Sequence, residues 1–110
     1  MARLIEKYAT ATGRVPFSEW VDRLEDIAKG KIYAYIVRVA GGGAKKSIRS
    51  VGAGVFEIKV DAGPGYRVYF GMAGRDRMIL LLGGDKRSQA RDIPMAIRYW
   101  GDWHAKNKDV

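Results

Sequence analysis

Between Val15 and Val39 the apolar residues recur every three or four positions. Phe17, Trp20, Val21, Leu24, Ile27 and Ala28 form one stripe, and Ser18, Glu19, Asp22, Arg23, Glu25 and Asp26 take the other side. That spacing predicts an amphipathic helix with Pro16 in its first turn, where a missing N–H leaves nothing unsatisfied. Gly30 is a candidate stop. Ile32, Tyr35, Ile36 and Val39 then continue a helical period to Gly41-Gly42-Gly43, so two successive helices and one kinked helix fit equally. Ahead of this region Ala2–Ala9 (ARLIEKYA) is short and mixed. It reads as a first edge strand with Leu4 and Tyr8 as its buried contacts.

After the glycines the period changes from helical to alternating. GGGAKKSIRSVGAG, with Lys45, Lys46 and Arg49, is expected to be a mobile basic loop. In VFEIKV, Phe56, Ile58 and Val60 share one strand face and Glu57 and Lys59 the other. Asp61-Ala62-Gly63-Pro64-Gly65 is turn chemistry, and in GYRVYF the apolar set Tyr66, Val68 and Phe70 leaves Arg67 and Tyr69 opposite. A hairpin must bury both apolar sets on one side, which groups Glu57, Lys59, Arg67 and Tyr69 on the other. The unbroken run Met78 to Leu82 predicts a central strand covered on both faces and ending at Gly83-Gly84. Ile93, Ala96, Ile97 and Trp100 are helix-spaced, with Pro94 in a first turn and Gly101 as a possible interruption. The order strand, helices, antiparallel meander, helix is that of the α+β class.

A chain of 110 residues has room for one domain of ordinary size, and 47% hydrophobic content is enough to build a core. Twenty Lys and Arg against twelve Asp and Glu give a net charge of +8, which attracts polyanions or an acidic protein. With no cysteine there is no disulfide, thiolate metal site or thiol nucleophile, in keeping with a reducing cytoplasm. No apolar run is long enough for a membrane helix or a signal peptide core, so a cytoplasmic protein without membrane contact is expected.

The one histidine, His104, has no serine and acid placed to form a triad and is expected at the surface or against Trp100. No carboxylates cluster as a hydrolytic metal site requires, and neither metal nor cofactor is expected. Lys59, Arg67 and Tyr69 share a sheet face, and the next strand end delivers Lys86 and Arg87. Fixed cations around a sheet suit a phosphodiester, whose oxygens gain charge as the bond breaks. RNA needs no metal for this, because its own 2′-hydroxyl attacks once a side chain removes the proton. Asp92, Glu57 and a lysine of lowered pKa are the candidate bases, and Tyr69 is placed to stack on a base. Against these stand plainer readings: a solvated strand face, a Glu57–Arg67 pair across the hairpin, and Asp92 as a helix cap.

The segments GVFEIKVDAGPGYRVYFGM and ILLLGGDKRSQARDIPMA together resemble the signature of HigB-like addiction-module killer proteins, a branch of the RelE/ParE superfamily of toxins from bacterial type II toxin–antitoxin modules. The likeness runs from Gly54 to Trp100, and FSEWVDRLEDIAKGKIYAYIVRV resembles the family's amphipathic helices more loosely. The resemblance implies a single toxin domain over residues 1–110. Its implied fold is microbial ribonuclease-like, with helices packed on one side of a small antiparallel sheet. It further implies cleavage of messenger RNA on the ribosome and silencing by a cognate antitoxin. Carried over by position, the family's strand Lys is Lys59, its hairpin Arg is Arg67, and the basic residue after the last strand is Lys86. Two positions depart from the pattern: Glu57 stands where a strand basic residue is usual, and Asp92 where a tyrosine opens the terminal helix. Asp92 is then the candidate base, and Gln89 either orients RNA or closes the turn. An acidic, apolar antitoxin segment is expected to dock near Trp20 or Trp100, and Lys45, Lys46 and Arg49 to meet RNA phosphates. Two alternatives stay open: a ParE-like poison of DNA gyrase without nuclease activity, and a degenerate, non-catalytic RNA- or protein-binding domain.

Overall fold

The computed structural model describes residues 2–108. Its elements are β1 (Leu4–Lys7), α1 (Pro16–Val21), α2 (Asp26–Ala40), a 3-10 turn (Lys45–Ser47), β2 (Ile48–Gly52), β3 (Val55–Val60), β4 (Tyr66–Ala73), β5 (Arg77–Asp85) and α3 (Gln89–Lys106). One five-stranded sheet carries them in the order β1-β5-β4-β3-β2. β2 to β5 form an antiparallel meander, and β1 closes the sheet parallel to β5. The α+β class is as expected.

The alternation along β3, β4 and β5 divides the interior in two. Ile58, Val60, Val68, Phe70, Met78 and Leu80 face α1 and α2, meeting Phe17, Val21, Ile32, Ile36 and Val39. Val55, Tyr69, Ile79, Leu81 and Leu82 face the other way, against Ala96 and Trp100 of α3. Leu81 and Leu82 share a side because the β4–β5 register slips between Tyr69, opposite Leu82, and Phe70, opposite Leu80. The helices therefore cover both faces of the sheet. α3 lies on the face that the hairpin pattern left to solvent, and it buries Glu57, Arg67 and Tyr69 there. It does so by close approach: a Cβ at Gly71 would stand 2.6 Å from the Trp100 indole. Gly83 likewise lies directly beneath the Trp20 ring on the opposite face.

Four further expectations change. The segment read as a mobile basic loop contains β2, paired with β3 through Arg49 opposite Glu57 and Ser50 opposite Phe56. Its turn is Ala53-Gly54, both at positive φ (54° and 82°), as the two central residues of a type I′ hairpin must be. Gly30 lies inside α2, and the break between the helices falls earlier, at residues 22–25. That break shifts the helical phase, so Ile27 turns outward and is 75% exposed. Leu4 is exposed as well, while Tyr8 is buried, stacked 4.9 Å from Tyr99 and donating its hydroxyl to Asp102 at 2.6 Å. Among the described residues no helix is long and apolar enough to cross a membrane.

A candidate anion-binding cleft

Two cross-strand rows build the site. Arg49 of β2 stands opposite Glu57 of β3, which stands opposite Tyr69 of β4. In the next row Lys59 is opposite Arg67, and Arg67 is opposite Gly84 of β5. α3 starts over this corner of the sheet because Gly84 has no side chain. A Cβ there would collide with the Asp92 carboxylate and come within 2.7 Å of Ser88 Oγ. The turn into α3 is closed by Asp85, whose Oδ1 accepts from the N–H groups of Arg87 (2.9 Å) and Ser88 (3.1 Å).

The result is a cleft of about 350 Å³ in which Lys46, Arg49, Lys59 and Arg67 surround Glu57 and Gln89. Glu57 is 2% exposed. Arg49 Nε donates to its Oε1 at 2.8 Å and Gln89 Nε2 to its Oε2 at 2.7 Å, while Arg67 Nε stands 3.8 Å from Oε1. Burial pushes the carboxyl up. The hydrogen bonds from Arg49 and Gln89 and the charge of Arg49 outweigh it, and with the nearby Tyr69 they hold Glu57 below the usual carboxylate range. Arg67 is 6% exposed. Its Nη1 donates to the carbonyls of Gly65 (3.1 Å) and Tyr66 (3.3 Å), but Nε is buried without a hydrogen-bond partner among the described residues. Nε faces the Glu57 carboxylate, so the buried guanidinium brings its charge both to that acid and to the cleft it lines.

The sequence-derived residues divide around this cleft. Lys59, Arg67, Arg49, Lys46 and Gln89 line it. Lys86 is exposed and does not line it. It flanks Gly65, where an added Cβ would stand 3.3 Å from Arg67 Nη1 and 3.6 Å from Lys86 Cβ, which places it beside the tip of Arg67. Arg87 is exposed on the same turn. Lys45 goes elsewhere, to an apolar cavity between α2 and the sheet with Arg3, Phe56 and Met78.

Two residues have surroundings that the strand pattern did not indicate. Tyr69 is fully buried, so its ring offers no face to a nucleobase. Burial, then the Glu57 charge and contact, push its phenol up, which keeps it protonated. Asp92 is 5% exposed and accepts from Ser88 Oγ at 2.5 Å beneath Gly84, outside the cleft lining. The buried Glu57, one of the three candidate bases, is the acid that the fold brings to the cations. A carboxylate alternating with Lys59 on one strand was the signal, and its weight depended on the partner strand β2. Trp100 is also buried and Trp20 half-buried over Gly83, so neither forms an exposed docking stripe. His104 is exposed with its ring 4.4 Å from that of Trp100.

Comparison with known proteins places these residues in a family. The profile described as "Phage derived protein Gp49-like (DUF891)" matches residues 19–98, which include α2 and every strand and turn that lines the cleft. A protein of Haemophilus influenzae described as uncharacterized is 43% identical over 81 residues, covering 73% of this chain and 81% of the relative.

Proposed function

We propose that this chain, which belongs to the phage-derived Gp49-like family, is a HigB-like toxin that cleaves messenger RNA on the ribosome and is neutralised by a cognate antitoxin in the cytoplasm. The family is associated with the toxins of toxin–antitoxin modules, which supports the antitoxin and the toxic role. The observation that carries the nuclease reading is the convergence of Lys46, Arg49, Lys59 and Arg67 on one cleft. Cations held in a partly desolvated pocket stabilise the charge that builds on a phosphorane more than the charge of the resting diester, which is the difference that accelerates a reaction.

In this reading Lys59 and Arg67 hold the non-bridging oxygens, and Lys86 reaches in from beside Gly65 to protonate the leaving 5′-oxygen. Asp92, bonded to Ser88, serves by fixing the turn that carries Lys86. Gln89 orients the carboxylate of Glu57 and does not itself need to touch RNA. Lys46 and Arg49 follow the backbone of the message at the mouth of the cleft.

Induced expression with pulse labelling tests this. Incorporation of amino acids should stop within minutes while DNA synthesis continues, and Arg67→Ala should relieve the arrest. Arrest of DNA synthesis with protein synthesis intact would favour a gyrase poison and contradict the nuclease.

A further inference from the structure

Each cation of the cleft has a task toward a phosphodiester, but a fully ionised carboxylate buried among them repels the substrate. Glu57 is nonetheless the single carboxylate among the described residues of the cleft lining. Resting on the nuclease reading, we propose that Glu57 is the general base for the ribose 2′-hydroxyl, masked by Arg49 until a phosphate draws that guanidinium away.

The two oxygens of Glu57 are held differently. Oε2 is fixed by Gln89 at the start of α3, a group with no charge to offer a phosphate. Oε1 is covered by Arg49, which belongs to β2, the outermost strand on that side of the sheet, and whose side chain is 61% exposed. An exposed guanidinium can trade a carboxylate for a phosphate, because its planar fork of N–H donors spans two oxygens of either group. When Arg49 moves, Gln89 keeps the carboxylate aimed, and Oε1 loses its hydrogen-bonded cover in the cleft that Glu57 lines with Lys59 and Arg67.

The exchange also adjusts the basicity of the group. Burial favours the neutral acid and Arg49 favours the anion. Taking Arg49 away leaves burial less opposed, so the carboxyl rises and becomes a better proton acceptor. The other groups that face it are Arg67 and Tyr69 from β4, Gln89 from α3 with Asp92 acting through Tyr69, Lys59 on its own strand and Lys46 from the 3-10 turn. Of these Arg67 is too buried to follow the phosphate outward, so one cation stays near Oε1 throughout.

The step balances without a co-reactant. Oε1 takes the 2′-hydroxyl proton, the 2′-oxygen forms its bond to phosphorus, the bond from phosphorus to the 5′-oxygen breaks, and that oxygen takes a proton from the Lys86 ammonium. The products are a 2′,3′-cyclic phosphate and a 5′-hydroxyl. Glu57 then returns its proton through water to the Lys86 amine.

The test follows the Glu57 carboxyl carbon by NMR in the full chain while inorganic phosphate is added, beside cleavage rates on programmed ribosomes over pH 4 to 8. Phosphate should shift the Glu57 titration upward, and Arg49→Ala should produce that shift without phosphate. The acidic limb of the rate profile should move with it. Glu57→Gln should bind phosphate at least as well as the parent yet cut on the order of 100-fold more slowly or worse. Cleavage by Glu57→Gln within threefold of the parent would overturn the base assignment while leaving the nuclease reading intact. A Glu57 titration indifferent to both phosphate and Arg49→Ala would overturn the masking, with no variant of Glu57 needed. If the parent itself cuts no message, the nuclease reading fails and the base assignment fails with it.

Discussion

Glu57 and Gln89 lie 32 positions apart in the chain and are joined by a hydrogen bond of 2.7 Å, which ties the middle of β3 to the first residue of α3. The bond adds to the Ser88–Asp92 contact in fixing the start of the helix over the cleft, while Ala96 and Trp100 pack its later turns on the sheet. Replacing Gln89 by Ala leaves one oxygen of a buried carboxylate without its donor, at a cost of about 1–3 kcal/mol. Urea unfolding should show that loss, whereas Gln89→Glu should cost more, since it sets a second negative charge against Glu57.

Two glycines give opposite expectations. At Gly84 a methyl group meets Asp92 and Ser88, so Gly84→Ala should destabilise by about 1–3 kcal/mol and disturb the turn before α3. At Gly30, inside α2 and exposed, an added Cβ meets nothing within 4 Å and the φ is not positive. Gly30→Ala should therefore stabilise by up to about 1 kcal/mol. Thermal melts of the two variants beside the parent decide both.

The depressed Glu57 carboxyl sets the acid side of the stability curve. A group whose folded pKa lies below its unfolded value stabilises at pH above the unfolded value, about 4.3, and loses that contribution as pH falls through the folded value. Stability should be nearly flat from pH 7 to about 5 on this account and fall below about 4.5. Glu57→Gln should be less stable at neutral pH and show a shallower acid decline. Denaturant midpoints measured from pH 3 to pH 7 check the sign.

Salt separates the cleft lysines from the others. Binding of a short single-stranded RNA should weaken with ionic strength, and each phosphate contact removed should reduce the slope by about 0.7. Lys59→Ala and Lys46→Ala should each do so. Lys45→Ala should leave the slope close to that of the parent, because Lys45 lines the apolar cavity on the α2 face. Fluorescence anisotropy at several salt concentrations measures all three.

Much of this architecture is legible in the sequence, for a physical reason. Alternation in VFEIKV and GYRVYF dictates which side chains share a face, so the grouping of Glu57, Lys59, Arg67 and Tyr69 follows from local chemistry, whereas the register that sets Lys59 opposite Arg67 does not. The central strand from Met78 to Leu82 is equally plain from its unbroken apolar run. What escapes is what depends on a distant partner. β2 has mixed burial and few apolar residues, and only the Ala53-Gly54 turn with positive φ marks its hairpin. The burial of Tyr69 and Arg67 depends on α3 crossing that face, which in turn depends on Gly71 and Gly84 lacking side chains. A glycine in a strand reads as weakness until the indole or carboxylate above it is known. The surroundings of Asp92 are equally hidden, because its hydrogen bond to Ser88 and its place against Gly84 depend on how the turn before α3 folds.

The central claim is that cations on neighbouring strands act on one phosphodiester. The most direct measurement is mapping of message ends after the purified protein is added to a reconstituted translation reaction. The account predicts new 5′-hydroxyl ends within coding sequence that depend on ribosomes and disappear with Lys59→Ala or Arg67→Ala. Intact message with the parent protein, or the same ends with both variants correctly folded, would contradict it.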